Sequence, residues 1–422
     1  MAVKYGREKI GEGIHYTTLI NKRQKTNTMF IHLITPLSQD SVSGNAVIPY
    51  VLSNSSSSYT TVTALSRRLA LLYGSVIKGS VAKIGDSQVM SLVSGCINDR
   101  YAFDREPITS ELTEILTNCF ISPYVENNEF YKKDFDLKKQ ELSDDIEAEI
   151  NEKRSYSFKR AGLVIYEGEP CAIPVKGDLE AVAKITARSA YEQYKELLKT
   201  AQIEAYFVGG AECPQSKEVL TAALTGLERD YAGDNISEKS PAKQELRRVV
   251  EQHEVSQSKM LLGFKTDFSD SITLRLMNAV FGGTPFSKLF LNVRERLSLC
   301  YYCSSGLNDK KGVVYVDSGV DFQNAAKAEE EILNQLSAVQ SGNFTTEELE
   351  NARLSVINTW RGVSDGARSL ADWYFQRNYS GGNESPEECI EMLRLVTKED
   401  VVEAAKSLKL DTAYLLTGKE NT

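Results

Sequence analysis

The chain is 422 residues long, 41% hydrophobic and 25% charged. That balance is globular, and the length exceeds one core of ordinary size, so two or more domains are expected. A net charge of −9 and a pI near 5.2 argue against nucleic acid or an anionic membrane as partner, although a local basic pocket stays compatible.

Taken in chain order, the opening "MAVKYGREKIGEG" lacks the apolar core of a signal peptide, and no run approaches the roughly 18–20 apolar residues that span a bilayer. The seven cysteines are odd in number, at 96, 119, 171, 213, 300, 303 and 389, without framework spacing. This is the usage of a reducing compartment, and a cytoplasmic location is expected. Residues near 14–20 and 28–36 read as strands, because β-branched and apolar residues recur there at short spacing. In "NAVIPYVLSNSSSSYTT" (45–61) the apolar part up to Leu52 reads as a helix with Pro49 inside it, and the four serines read as a solvated loop. Residues 59–73 place Leu65, Leu69 and Leu72 at helical spacing, with Tyr73-Gly74 as terminator. Strands follow at 75–83 and 87–96. A long helix is expected over 127–155, with Phe135, Leu142, Ile146 and Ile150 on one stripe.

An internal duplication organises the rest. "ITARSAYEQYKELLKTAQIEAYFVGG" begins at Ile185, and "VTKEDVVEAAKSLKLDTAYLLTG" begins at Val396. Both read as a Thr-capped helix, a short turn and an apolar strand ending in glycine, and Asp400 extends the Thr397 cap to a capping box. "TALSRRLALLYGSV" and "TPFSKLFLNVRERLSLCYY" correspond further upstream as helix followed by strand. The polar stretch 228–245, with Gly233 and Pro241, reads as a linker. The expectation is two homologous α+β halves: residues 1–228, a linker 229–245, and residues 246–422.

Few residues offer chemistry. The histidines, His15, His32 and His253, are too far apart in sequence to form a zinc pair, and each reads as satisfied or exposed. Cys300-Tyr301-Tyr302-Cys303 matches C-x-x-C. In a regular strand the two thiols face opposite sides, which argues against a redox or zinc role. "FGGTPFSKLF" (281–290) lacks the GK[ST] of a phosphate loop and reads as a turn feeding a helix with Leu289, Phe290 and Val293 inward. No G-x-S-x-G elbow occurs.

The stretch "LLGFKT" followed by "FGGTPFSKLFLNVRERLSLCYYCSSG" resembles the second-half signature of the M16 peptidases, the insulinase, pitrilysin and mitochondrial-processing-peptidase-like family. The first half resembles the family's catalytic half in its order of elements, "LLYGS" and the helix near Phe135 included. The resemblance covers essentially the whole chain and implies two M16-type (LuxS/metallohydrolase-like) α+β domains, each an antiparallel-rich sheet packed with helices. Active members carry His-x-x-Glu-His on a helix, two imidazoles binding zinc and the glutamate acting as base. Placed on that pattern, Ala46 and Tyr50 stand at the histidines and Pro49 at the glutamate. Asp145 stands at the third ligand, with Lys138 seven residues before it where the family has a carboxylate. Alanine has no donor atom, a neutral phenol is a poor one, proline is no base, and one aspartate cannot hold zinc. The resemblance thus implies a degenerate centre with no catalytic residues, no metal and no cofactor.

Arg294 and Tyr301 match the family pair that reaches from the second half toward substrate. Read without the family, Arg294-Glu295-Arg296 is a solvated helix end and Tyr301 a core aromatic. Read with it, both are substrate-binding through a guanidinium and a phenolic hydrogen bond. The implied function is a non-catalytic M16-like subunit that binds a peptide or unfolded protein segment and completes the chamber of an active zinc-bearing paralogue, without nucleic-acid or membrane partners. The chain is similar to a small cytoplasmic bacterial group linked to modification of elongation factor P. Two alternatives stay open: a structural homodimeric scaffold without a peptide site, and a hydrolase with an unorthodox non-zinc site using Asp145, Tyr50 or Lys138.

Overall fold

A computed structural model describes residues 3–234 and 237–418. The fold is α+β and divides into two compact units, each drawing on three segments. The first comprises residues 1–147, 173–236 and 363–383; the second comprises 148–172, 237–362 and 384–422. Two segments therefore lie across the expected boundaries 1–228 and 246–422.

The first unit holds a six-stranded sheet in the order Lys4–Gly11, Ile14–Ile20, Gln202–Gly209, Thr26–Pro36, Ser87–Ile97, Val76–Ile84. Neighbours are antiparallel except Ile14–Ile20 with Gln202–Gly209. The second unit holds five strands in the order Arg247–Gln252, Lys409–Thr417, Ser258–Lys265, Val313–Val320, Cys300–Asn308, again with only the first pair parallel. Apart from the additional edge strand Lys4–Gly11, the two orders are the same, so the duplication extends from sequence to topology. Its local signals also agree. Thr186 and Thr397 both cap their helices, Ala187–Thr200 and Lys398–Lys406, through capping boxes closed by Ser189 and Asp400.

Each sheet buries both faces. In the first unit one face packs against the large core that includes Ile31, Leu33, Val47, Leu116 and Phe207. The other face, with Leu19, Phe30, Tyr206 and Val208, is covered by Leu370, Ala371 and Tyr374 of helix Ala367–Tyr379. In the second unit Ala161 and Ile165 of helix Lys153–Ile165 cover Leu261, Val313, Tyr414 and Leu416. The covering helix thus comes from the opposite half of the sequence in each case.

The expected helix over 127–155 breaks accordingly. It runs Lys132–Ala148, passes through a tight turn at Glu149–Asn151, and restarts as Lys153–Ile165. The Glu152 carboxylate accepts the Ser155 N–H at 2.7 Å and caps the new helix. Phe135 and Leu142 are buried as expected, whereas Ile150 lies in the turn and is exposed.

The expected linker is anchored at both ends, each within its own unit. Asp230 N–H donates to Lys199 O at 3.0 Å, and Lys243 pairs with Asp411 at 2.9 Å. Asn235 and Ile236, inside that stretch, lie outside the described residues.

Candidate functional site

In the first unit, the stretch expected to stand where the family has its metal-binding helix forms helix Val42–Leu52. All its residues are buried except Tyr50, which is half-buried. Two glycines allow this close seating. A Cβ on Gly44 would lie 1.9 Å from Gln193 Oε1, and one on Gly79, in the neighbouring strand, 2.1 Å from Pro49 O. Pro49 sits near the C-terminal end, where the missing N–H costs one intrahelical bond, and the helix stops three residues later. Ala46 is fully buried among apolar neighbours.

The serines beyond the helix depart from the expected solvated loop. Ser55 and Ser56 are buried. Ser55 Oγ donates to Asp134 at 2.8 Å, and Ser56 N–H donates to Tyr59 O at 2.9 Å. Compact turns of short polar side chains satisfy one another and can enter a core without becoming nucleophiles.

Lys138 and Asp145 lie seven residues apart on helix Lys132–Ala148, each committed to an ion pair. Lys138 binds Glu141 at 2.9 Å, and Asp145 binds Lys176 at 3.0 Å. The Tyr50 phenol is raised above its ordinary pKa by burial, with Lys176 pulling it down and Asp145 pushing it up. Of the residues expected at the degenerate centre, Tyr50 and Asp145 thus come together, joined by Lys176. A lysine ammonium supplies the positive charge beside Asp145, and the phenol stays protonated at neutral pH. These residues do not fit zinc: Ala46 offers no donor, Tyr50 a protonated one and Pro49 no base. Among the described residues no group of three His, Cys, Asp or Glu side chains is placed to hold a metal. Lys176, in "IPVKGD", escaped sequence reasoning because nothing local marks it as the partner of Asp145.

The histidines are occupied elsewhere. His32 is buried, Nδ1 2.7 Å from Ser91 Oγ, against Phe30, Tyr206 and Phe375. His15 lies 3.2 Å from Glu204, and His253 is 3.3 Å from Lys153. A cavity of about 380 Å³ opens elsewhere in this unit, beside Tyr16, Phe207 and Cys213. Four of its rim charges are spent on each other, Lys4 on Glu212 and Lys217 on Glu8, both at 2.5 Å, and Arg7 pairs with Glu204.

In the second unit, helix Ser271–Asn278 runs into two wide π-helical turns, Ala279–Gly283 and Leu289–Arg296, over the signature stretch. Such turns are rare and collect at functional positions. Leu289 and Val293 point inward as expected. Arg294 closes the second turn, its guanidinium 4.7 Å over the Phe290 ring and 3.6 Å from Glu295, with its side chain 39% exposed. Tyr301 follows on the edge strand Cys300–Asn308 and is 59% exposed, which removes the core-aromatic reading. Its hydroxyl donates to Asp321 at 3.2 Å, and that bond raises its pKa.

The same strand overturns the expectation for C-x-x-C. Cys300 pairs with Val320, Tyr302 with Gly319 and Cys303 with Ser318, so Tyr301 is an extra residue, a β-bulge. The bulge shifts the alternation by one, and Cys300 and Cys303 share a face instead of opposing each other. Both are buried. The Cys303 thiol donates to the Cys300 sulfur, which lowers the Cys300 pKa against burial; the Ser318 hydroxyl and Arg294 add to the lowering. Cys303 is pushed up correspondingly by the same bond and by burial.

The description "Peptidase M16 inactive domain" matches residues 184–356, a span that includes Arg294 and Tyr301. Over 94% of both chains the sequence is 28% identical to a Bacillus subtilis protein named "Probable inactive metalloprotease YmfF". It is 22% identical to an "Uncharacterized zinc protease" of Rickettsia bellii, over 69% of this chain and 71% of that one. Among solved structures, a conserved protein from Enterococcus faecalis superposes with a TM-score of 0.90 at 24% identity, covering 99% of both chains. A Pseudomonas fluorescens peptidase M16 inactive domain superposes with a TM-score of 0.79 at 16% identity, over 99% of this chain and 98% of that one. By domain description, by sequence along nearly its whole length and by fold, the resemblance of this chain to the M16 peptidases, and to their inactive kind, is borne out.

Proposed function

We propose that the chain is a non-catalytic M16-type protein that binds a peptide or extended protein segment through Arg294 and Tyr301 and completes the chamber of a zinc-bearing M16 partner. The observation that carries this reading is a contrast of environments. The positions that would make zinc chemistry are filled by a buried methyl, a pyrrolidine ring and a phenol. The two positions that would hold substrate remain solvent-facing: Arg294 is held only loosely by Glu295 at 3.6 Å, and the exposed Tyr301 hydroxyl would exchange its 3.2 Å bond to Asp321 for one to substrate. One relative is named a probable inactive metalloprotease, which supports the non-catalytic part of the reading.

The test is made on the purified chain and on the chain mixed with its co-purifying M16 partner. Metal analysis is expected to find no stoichiometric zinc, and unstructured peptides are expected to remain intact with the chain alone. Arg294→Ala is expected to weaken peptide binding about ten- to a hundredfold, the loss of roughly one charge-assisted hydrogen bond of 1.5–3 kcal/mol, with the melting temperature unchanged. Equal peptide affinity in the variant would return Arg294 to surface charge and favour the scaffold alternative. Cleavage that survives chelation and falls with Tyr50→Phe or Asp145→Asn would establish the non-zinc hydrolase instead.

A further inference from the structure

We propose that Cys300 and Cys303 are a redox-active dithiol, oxidised by hydrogen peroxide to an intramolecular disulfide whose closure tightens the bulge at Tyr301. The geometry comes from the pairing of the edge strand. Across the ladder the two cysteines oppose Val320 and Ser318, residues two apart on one strand face. Two residues of strand rise set the backbone separation at about 6.7 Å. That lies at the upper end of the span a disulfide bridges, about 4.4–6.8 Å. A bond can therefore form only if the bulged strand shortens slightly, and the residue free to absorb the change is Tyr301, which has no partner in the ladder.

The chemical asymmetry suits the step. Cys300 is the better thiolate, held by the Cys303 S–H, the Ser318 hydroxyl and the nearby Arg294 charge. Cys303 keeps its proton. The strand is at the sheet edge and Cys300 is its first residue, 9% exposed against 3% for Cys303, which makes it the more accessible of the two. The Cys300 thiolate attacks one peroxide oxygen, breaking the O–O bond, and the departing hydroxide takes up a proton to leave as water. The resulting sulfenic acid is attacked by Cys303 sulfur; its hydroxyl leaves with the Cys303 proton as a second water, and the S–S bond forms. Two thiols lose two electrons and peroxide gains two. The buried thiols of Cys96 and Cys119, both pushed up to about 12 by burial, provide inert internal standards.

The consequence for binding rests on the role proposed above for Tyr301, so the test reads disulfide and binding separately. The full-length reduced chain is treated with stoichiometric hydrogen peroxide, alkylated and peptide-mapped. The expected product is a 300–303 cross-link, 2 Da lighter than the dithiol, reversed by dithiothreitol and formed at least about tenfold faster than any change at Cys96 or Cys119. Cys303→Ser is expected to stop at a sulfenic acid on Cys300 that dimedone traps. Modification of Cys300 to sulfinic acid in the native sequence without a cross-link, or oxidation no faster than at Cys119, would overturn the proposal. Peptide affinity is then compared between reduced and oxidised forms. Formation of the disulfide with equal affinity in both forms would remove the link to Tyr301; formation with no peptide binding in either form would leave the dithiol standing and sink the binding function.

Discussion

At the scale of single residues, the same physical fact, burial, decides what each candidate side chain can do. His32 is the sharpest case. Burial lowers its pKa from 6.5 to about 4, with Glu204 opposing and Arg368 assisting. The folded state therefore binds fewer protons than the unfolded state between those two values. Stability from this group is present above pH 6.5, falls as pH drops below it, and levels off near pH 4. At pH 5 the loss amounts to about 2 kcal/mol. Urea unfolding at pH 7.5 and pH 5 is expected to register most of that difference in the native sequence and little of it in His32→Asn. An equal loss in both would mean that the unfolding free energy is governed by other groups. At this scale the sequence was readable where an absence is itself chemical: Ala46 and Pro49 cannot serve zinc in any fold. Lys176 was not readable, because ion pairing with Asp145 depends on two segments thirty-one residues apart meeting in space.

At the scale of elements, local signals were legible and pairing irregularities were not. The Thr186 and Thr397 caps act within one helical turn, so four residues of sequence contain the whole interaction. The bulge at Tyr301 depends on the opposite strand Val313–Val320, and no pattern within 300–308 announces it; strict alternation therefore put the two thiols on opposite faces. Buried Ser55 was missed for the same reason, since its partner Asp134 lies 79 residues away. Helix seating supplies the test at this scale. A methyl on Gly79 would meet the Pro49 carbonyl carbon and oxygen, backbone atoms that cannot rotate away. Gly79→Ala is expected to cost about 1–3 kcal/mol by overpacking. Gly162→Ala, inside helix Lys153–Ile165 where nothing lies within 4 Å, is expected to gain about 0.5–1 kcal/mol from helix propensity. Opposite signs in denaturant midpoints check both; a neutral Gly79→Ala would mean that the strand and helix part more easily than their packing implies.

At the scale of the molecule, the duplication was legible as a repeat of helix, turn and strand, whereas the exchange of covering helices was not. Hydrophobic periodicity states that a helix has an apolar face and leaves open which sheet receives it. The receiving sheet is set by shape and chain path, and Leu370, Ala371 and Tyr374 go to the first unit although they follow four of the second unit's five strands. This has a direct consequence for dissection. A fragment of residues 1–228 ends at the expected boundary but lacks helix Ala367–Tyr379, leaving Leu19, Phe30, Tyr206 and Val208 uncovered. At about 1.5–3 kcal/mol for each large side chain, the lost burial is on the order of 10 kcal/mol, comparable with the whole stability of a typical domain. The 1–228 fragment is therefore expected to lack cooperative unfolding and to bind hydrophobic dyes. The same fragment extended through a flexible tether by residues 363–383 is expected to regain a single sharp transition. Thermal melts followed by circular dichroism distinguish the two. A cooperative transition in the untethered fragment would mean that the outer sheet face can fold bare and that the exchanged helix only decorates it.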